Sequence, residues 1–177
     1  MHQVATPAAV RQHSKRHHNL HTVKGIHWRA IRPQDTPGIE RLVRRQPFRH
    51  PTWTLEEGTL GIAAYVRCGT LLATVLVTHG RTPGEYASLF TVVAVDPDWR
   101  EEGLGLVGLN LIPQFLANDG IAVDMLFGLC SSKSASYYLQ AGYEVTRPRE
   151  QLKVPGVSQP MLSPDPARSC WFYRHFI

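Results

Sequence analysis

The stretch from Val95 to Gly105 constrains this chain more than any other. An apolar, β-rich run over residues 86–95 stops at Asp96-Pro97, and Asp98-Trp99-Arg100-Glu101-Glu102-Gly103-Leu104-Gly105 leads on into residues 103–118. There Leu104, Val107, Leu111, Phe115 and Leu116 recur at helical spacing, Gly120 ends the run, and Pro113 inside it predicts a kink. A strand that passes through a glycine-bearing turn into a helix brings backbone close to a ligand. Glycine permits the approach, and the first helical turn offers unpaired N–H groups and a positive dipole end to a phosphate. The turn is expected to hold a diphosphate. It is neither a Walker loop nor the GxGxxG dinucleotide fingerprint.

The rest of the chain arranges itself around that turn. Residues 27–32 alternate large and polar side chains as a strand does, and Asp35-Thr36-Pro37 starts a short basic helix over 38–45. Residues 60–66 and 71–78 read as a hairpin about Arg67-Cys68-Gly69-Thr70. After the long helix come a strand at 123–129, a short helix at 134–140 ended by Gly142, a strand from Tyr143, a proline-rich loop over 151–167 and a closing aromatic strand over 169–177. This order is a mixed α/β (α+β) layout. At 177 residues it suits about one domain: a polar, histidine-rich arm over 1–24, read as mobile, and a folded unit over 25–177. No run approaches the ~20 apolar residues of a spanning helix, and the N-terminus lacks a secretion signal's apolar core, so no membrane partner and a cytoplasmic setting are expected.

Charge is unevenly spread. Residues 1–50 sum to +8 and the remaining 127 to −3, so an anionic partner, whether RNA, DNA or an acidic protein, competes with a merely solvated basic surface. His13, His17 and His21 share one face if the arm is helical, but no carboxylate or thiolate joins them, and no metal is expected. Cys68, Cys130 and Cys170 form no CxxC and read as buried apolar residues.

Arg100-Glu101-Glu102-Gly103-Leu104-Gly105 fits the spacing Arg/Gln-x-x-Gly-x-Gly/Ala, and Tyr138-Leu139-Gln140-Ala141-Gly142-Tyr143 fits Tyr-x-x-x-Gly-aromatic. With these two signatures in this order the chain resembles the GNAT superfamily of N-acetyltransferases, clearly from about Gly61 to Val145. Residues 87–98 look like the fourth strand of the ribosomal-protein alanine acetyltransferases, with one extra residue within Thr91-Val92-Val93-Ala94-Val95 that a β-bulge would absorb. The resemblance implies a central, mostly antiparallel sheet with splayed middle strands and flanking helices. It implies acetyl-CoA as co-substrate and direct attack of a primary amine on the thioester in a ternary complex.

By the same resemblance, Val93, Ala94 and Val95 would hydrogen-bond the pantetheine arm and polarise the carbonyl. The amides of Arg100, Glu101, Glu102, Gly103, Leu104 and Gly105 would bind the diphosphate, and Tyr138 would protonate the leaving thiolate. Tyr138 also reads as a core aromatic beside Tyr137. Ser131 stands where relatives commonly carry asparagine, and Leu126 where some carry a glutamate base. Glu85, Asp124 and His79 are then the candidate bases, with ordered water as competitor. Carboxylates at Glu101 and Glu102 suit a diphosphate site only if they point outward. The competing readings are a non-catalytic CoA-binding or interaction module and a relative directed at aminoacyl-tRNA or DNA. A homodimer stays open.

Overall fold

In the computed structural model, which describes residues 6–47, 50–79 and 88–176, helix α1 spans Pro7–Val23 and strand β1 Ile26–Ala30. Helix α2 follows at Thr36–Arg44, then β2 at Leu60–Val66, β3 at Leu71–His79 and β4 at Ser88–Val95. A 3₁₀ turn over Pro97–Glu102 leads to α3, Leu104–Asn118. The chain closes with β5 Met125–Cys130, α4 Ala135–Gln140, β6 Glu144–Val145 and β7 Cys170–His175. The seven strands form one sheet in the order β1-β2-β3-β4-β5-β7-β6. Only β4 and β5 pair in parallel; the other neighbours are antiparallel.

Alternation along the strands divides the core in two. Val75 and Val77 of β3 face α3 together with Leu106, Leu109 and Ile112, whereas Leu76, Val92 and Ala94 face Ile39, Leu42 and Val43 of α2. The two helices therefore cover opposite faces of the sheet. α2 starts at Thr36-Pro37 and buries one stripe at positions 39, 42 and 43, the spacing of an amphipathic surface helix. α3 is buried nearly all round its first two turns, from Leu104 to Leu109, and it continues through Pro113.

The second cover on α3 is α1. Residues 7–23, read from the sequence as part of an arm, form a helix capped by Thr6, whose Oγ1 accepts from the Ala9 N–H at 3.3 Å, and it packs on α3 and β1. Its buried residues are Val10, Ser14 and His21, a helical stripe with one apolar member, so hydrophobic periodicity carried no sign of it. Two further expectations are corrected. The β3–β4 register runs unbroken from Ala73↔Val95 to His79↔Leu89, so β4 holds no bulge, and the register shift lies instead between β2 and β3 at Ala64/Tyr65. Cys68 is exposed on the β2–β3 turn, while Cys130 and Cys170 are buried opposite one another across β5 and β7.

Candidate active site

The parallel ladder between β4 and β5 is three pairs long. Ser88↔Met125, Leu89↔Leu126 and Phe90↔Phe127 are joined, and beyond them Thr91–Val95 and Gly128–Cys130 have no cross-strand partner in each other. Closure at the paired end is tight: a Cβ on Gly128 would fall against the Thr91 carbonyl oxygen and lie 2.5 Å from the Phe172 ring. The gap opens into a cavity of about 300 Å³. Thr91, Val93, Cys130, Ser131, Tyr138 and Phe172 are among the residues around it.

Hydrogen-bond alternation decides which backbone groups enter the gap. The Asp96 N–H donates to the Leu72 carbonyl at 2.7 Å, so in an unbroken antiparallel register the even residues of β4 bond to β3. The odd residues, Val93 and Val95 among them, turn their N–H and C=O groups toward β5. Ala94 belongs to the even set: it is buried, opposite Thr74, and presents its backbone to β3 rather than to the cleft. The Val95 carbonyl accepts from Gln46 Nε2 at 3.1 Å. The Val93 N–H is thus held in place by the β3 ladder at the point where β5 departs.

At the wide end stands the turn. Gly103 has φ +72°, the left-handed region that favours glycine, and it ends the 3₁₀ segment so that α3 begins at Leu104. Gly105 is needed for contact: a Cβ there would fall against the Tyr137 hydroxyl and 3.2 Å from Val93 Cγ1. The first turn of α3 is therefore wedged between β4 and α4, and Arg100 lines the cavity. Glu102 points away from it, paired with Lys24 at the end of α1, whose hydrogen bond and charge hold that carboxyl below its usual pKa. Glu101 is exposed.

On the far wall, Ser131 Oγ accepts from the Ser134 N–H at 3.3 Å and lies 2.9 Å from Ser134 Oγ, which fixes the start of α4. One turn further along α4, Tyr138 stacks on Phe172 with centroids 3.9 Å apart and planes 8° from parallel. Both rings border the cavity. Burial pushes the Cys130 thiol up to about 12, so it stays protonated. Sequence reasoning missed Ser134, Phe172, Gln46 and Arg168 at this cavity. Arg168 directly follows the proline-rich loop, in a 3₁₀ turn over Pro166–Arg168 that carries no periodic signal, and its Nε donates to Asp165 at 2.7 Å.

Asp124 precedes β5 at the closed end of the ladder, where its carbonyl accepts from the Phe176 N–H at 2.9 Å, and it does not border the cavity. Glu85 lies outside the described residues, and His79 sits at the end of β3 opposite Leu89. Among the described residues no group of three or more His, Cys, Asp or Glu side chains is placed to hold a metal ion. His13 and His17 approach to 3.2 Å, but His21 turns to the Glu102 carbonyl. A larger cavity, about 420 Å³, lies beside α2, and its Asp35 and Asp96 are already paired with Arg29 and Arg45.

No family model matches the sequence, and no curated protein does. Solved structures do. A GNAT-family N-acetyltransferase from Escherichia coli in complex with CoA superposes with a TM-score of 0.58 at 21% identity, over 85% of this chain and 81% of the other. The fold is that of the GNAT acetyltransferases. The ribosomal-protein-S18-alanine N-acetyltransferase from Escherichia coli gives a TM-score of 0.57 at 18% identity, over 84% and 90% of the two chains. A GNAT-family acetyltransferase from Streptococcus pneumoniae gives 0.58 at 13%, over 84% and 96%. In this chain the GNAT sheet carries α1 as a cover over α3. Among the described residues no helix is long and apolar enough to cross a membrane.

Proposed function

We propose that the chain is an N-acetyltransferase that moves an acetyl group from acetyl-CoA to a primary amine by direct attack in a ternary complex. The observation that carries this reading is the β4–β5 gap, which opens just after Phe90 and Phe127 and ends at the Gly103–Gly105 turn. A pantetheine arm laid along β4 meets the outward N–H groups of Val93 and Val95. The diphosphate meets the orphan amides of the first α3 turn, with Arg100 beside it. The thioester carbonyl develops negative charge during attack, and a strand N–H already fixed by the β3 ladder stabilises it without reorganising. Nitrogen forms the new C–N bond, the C–S bond breaks, and the thiolate takes a proton from Tyr138, whose ring the Phe172 stack orients. Glu85 or ordered water accepts the amine's proton.

A second reading, a CoA-binding module without turnover, is favoured by one observation: the described residues bordering the cavity include no carboxylate and no histidine. Calorimetry with CoA tests the donor half of both readings, and absence of binding overturns them together. Radiolabelled acetyl-CoA with a panel of amines, acidic peptides and aminoacyl-tRNA then separates them, since the module binds CoA and acetylates nothing.

A further inference from the structure

Helix α1 covers the diphosphate turn with side chains that packing alone does not call for. His21 is completely buried, and its Nε2 lies 2.6 Å from the Glu102 carbonyl oxygen. A carbonyl only accepts, so Nε2 carries the proton. Nδ1, on the other side of the ring, is buried with no hydrogen-bond partner. One turn earlier, the His17 ring occupies the space beside Gly103 where a Cβ would stand. Just beyond the helix, Lys24 pairs with the Glu102 carboxylate. Residues 17, 21 and 24 thus grip Glu102 and Gly103 from a single side. A leucine would fill the same space without an orphaned ring nitrogen, but it would take the donor away from the Glu102 carbonyl. The orphaned Nδ1 points to the donated hydrogen bond as the reason for histidine.

Peptide geometry gives that bond a consequence. The Glu102 C=O and the Gly103 N–H belong to one planar trans unit and point in opposite directions. Holding the carbonyl toward α1 turns the N–H away from α1. On that other side lies the cleft, because Gly105 touches Val93 and Tyr137 and Arg100 borders the cavity. We propose that His21 is a positioning residue of the donor site: it sets the peptide plane from which the amides of the Gly103–Gly105 turn face a diphosphate. This rests on the turn being the CoA site, and it makes α1 part of that site.

Two variants that keep the bulk of the side chain isolate the hydrogen bond. His21→Gln retains a donor, and His21→Leu does not. CoA affinity is read by calorimetry, and the Gly103 and Gly105 amide resonances are followed in ¹⁵N-labelled full-length protein as CoA is added. The wild type and His21→Gln are expected to bind CoA within about threefold of each other, whereas His21→Leu binds about tenfold more weakly. The two glycine amides should shift on CoA addition in the first two proteins and much less in the third. Equal affinity of the Leu and Gln variants, or parallel weakening of both, overturns the inference. If His21→Leu fails to fold, His21→Gln against His21→Met at matched melting temperature makes the same comparison. A wild type that binds no CoA removes the underlying functional reading, whereas a wild type that binds it with variants that do not differ removes only the role of His21.

Discussion

Adjacent tyrosines on α4 are separated by where their hydroxyls end up. Tyr137 presses its hydroxyl on Gly105, and burial pushes its pKa far upward, so it acts as a spacer between α4 and α3. Tyr138 borders the cavity and rests flat on Phe172. Replacing Tyr138 by Phe keeps the ring stack and removes the hydroxyl proposed as the acid. Turnover should fall about 100-fold while the calorimetric CoA affinity stays unchanged. Gly128 shows residue-scale control of another kind, since its missing side chain lets β5 approach the Thr91 carbonyl at the closed end of the gap. Gly128→Ala forces β4, β5 or Phe172 to move, and it should cost about 1–3 kcal/mol in urea unfolding and weaken CoA binding as well.

At the scale of elements, what the sequence made legible follows from which elements advertise themselves. The strand-turn-helix from β4 to α3 was readable because each part leaves a separate mark: an apolar run, Asp96-Pro97, two glycines and a helical repeat. Helix α1 left none, because two of its three buried residues are Ser14 and His21. Nor was the orientation of β4's backbone readable, since it depends on which β3 residue accepts from Asp96; only that bond removes Ala94 from the cleft and keeps Val93 and Val95.

The docking of α1 also predicts a pH response. His21 and His17 have pKa values lowered from 6.5, by burial first, and the groups acting on them besides each other are His13, Arg16, His18, Lys24 and Glu102. A histidine whose folded pKa is depressed takes up its proton more readily in the unfolded chain. Its neutral form therefore contributes stability above about pH 6.5, and that contribution is lost as pH falls through the folded pKa. Melting temperature should drop from pH 7 to pH 5, and the drop should be smaller in His21→Gln. Asp35 does not intrude on this window: Arg29 holds its carboxyl down at about 2 through a two-pronged bond of 2.7 and 2.8 Å.

For the whole molecule, the decisive arrangement is what the fold does to the basic N-terminal end. The sequence places ten basic residues against two acidic ones within residues 1–50, which suggests one positive patch. The topology divides it, because α1 lies over α3 while α2 lies on the other face of the sheet. Pairing reduces it further: Lys24, Arg29, Arg44 and Arg45 each face a carboxylate, respectively Glu102, Asp35, Glu40 and Asp96. On α1 the exposed Arg11, Lys15 and Arg16 are left, few for a polyanion but enough to steer one end of an acceptor. Each phosphate neutralised contributes about −0.9 to the slope of log K against log salt on a duplex, and about −0.7 on a single strand. If all ten charges acted together, the slope would approach about −9, whereas the α1 set alone limits it to about −3. Titrating tRNA at 50 to 200 mM salt should therefore give a slope no steeper than about −3. Changing Arg11, Lys15 and Arg16 together to Ala should flatten it, and changing Arg41 on α2 should leave it in place. A slope near the larger value would mean that the two faces act on one ligand, which this topology does not permit without a strand long enough to pass around the edge of the sheet.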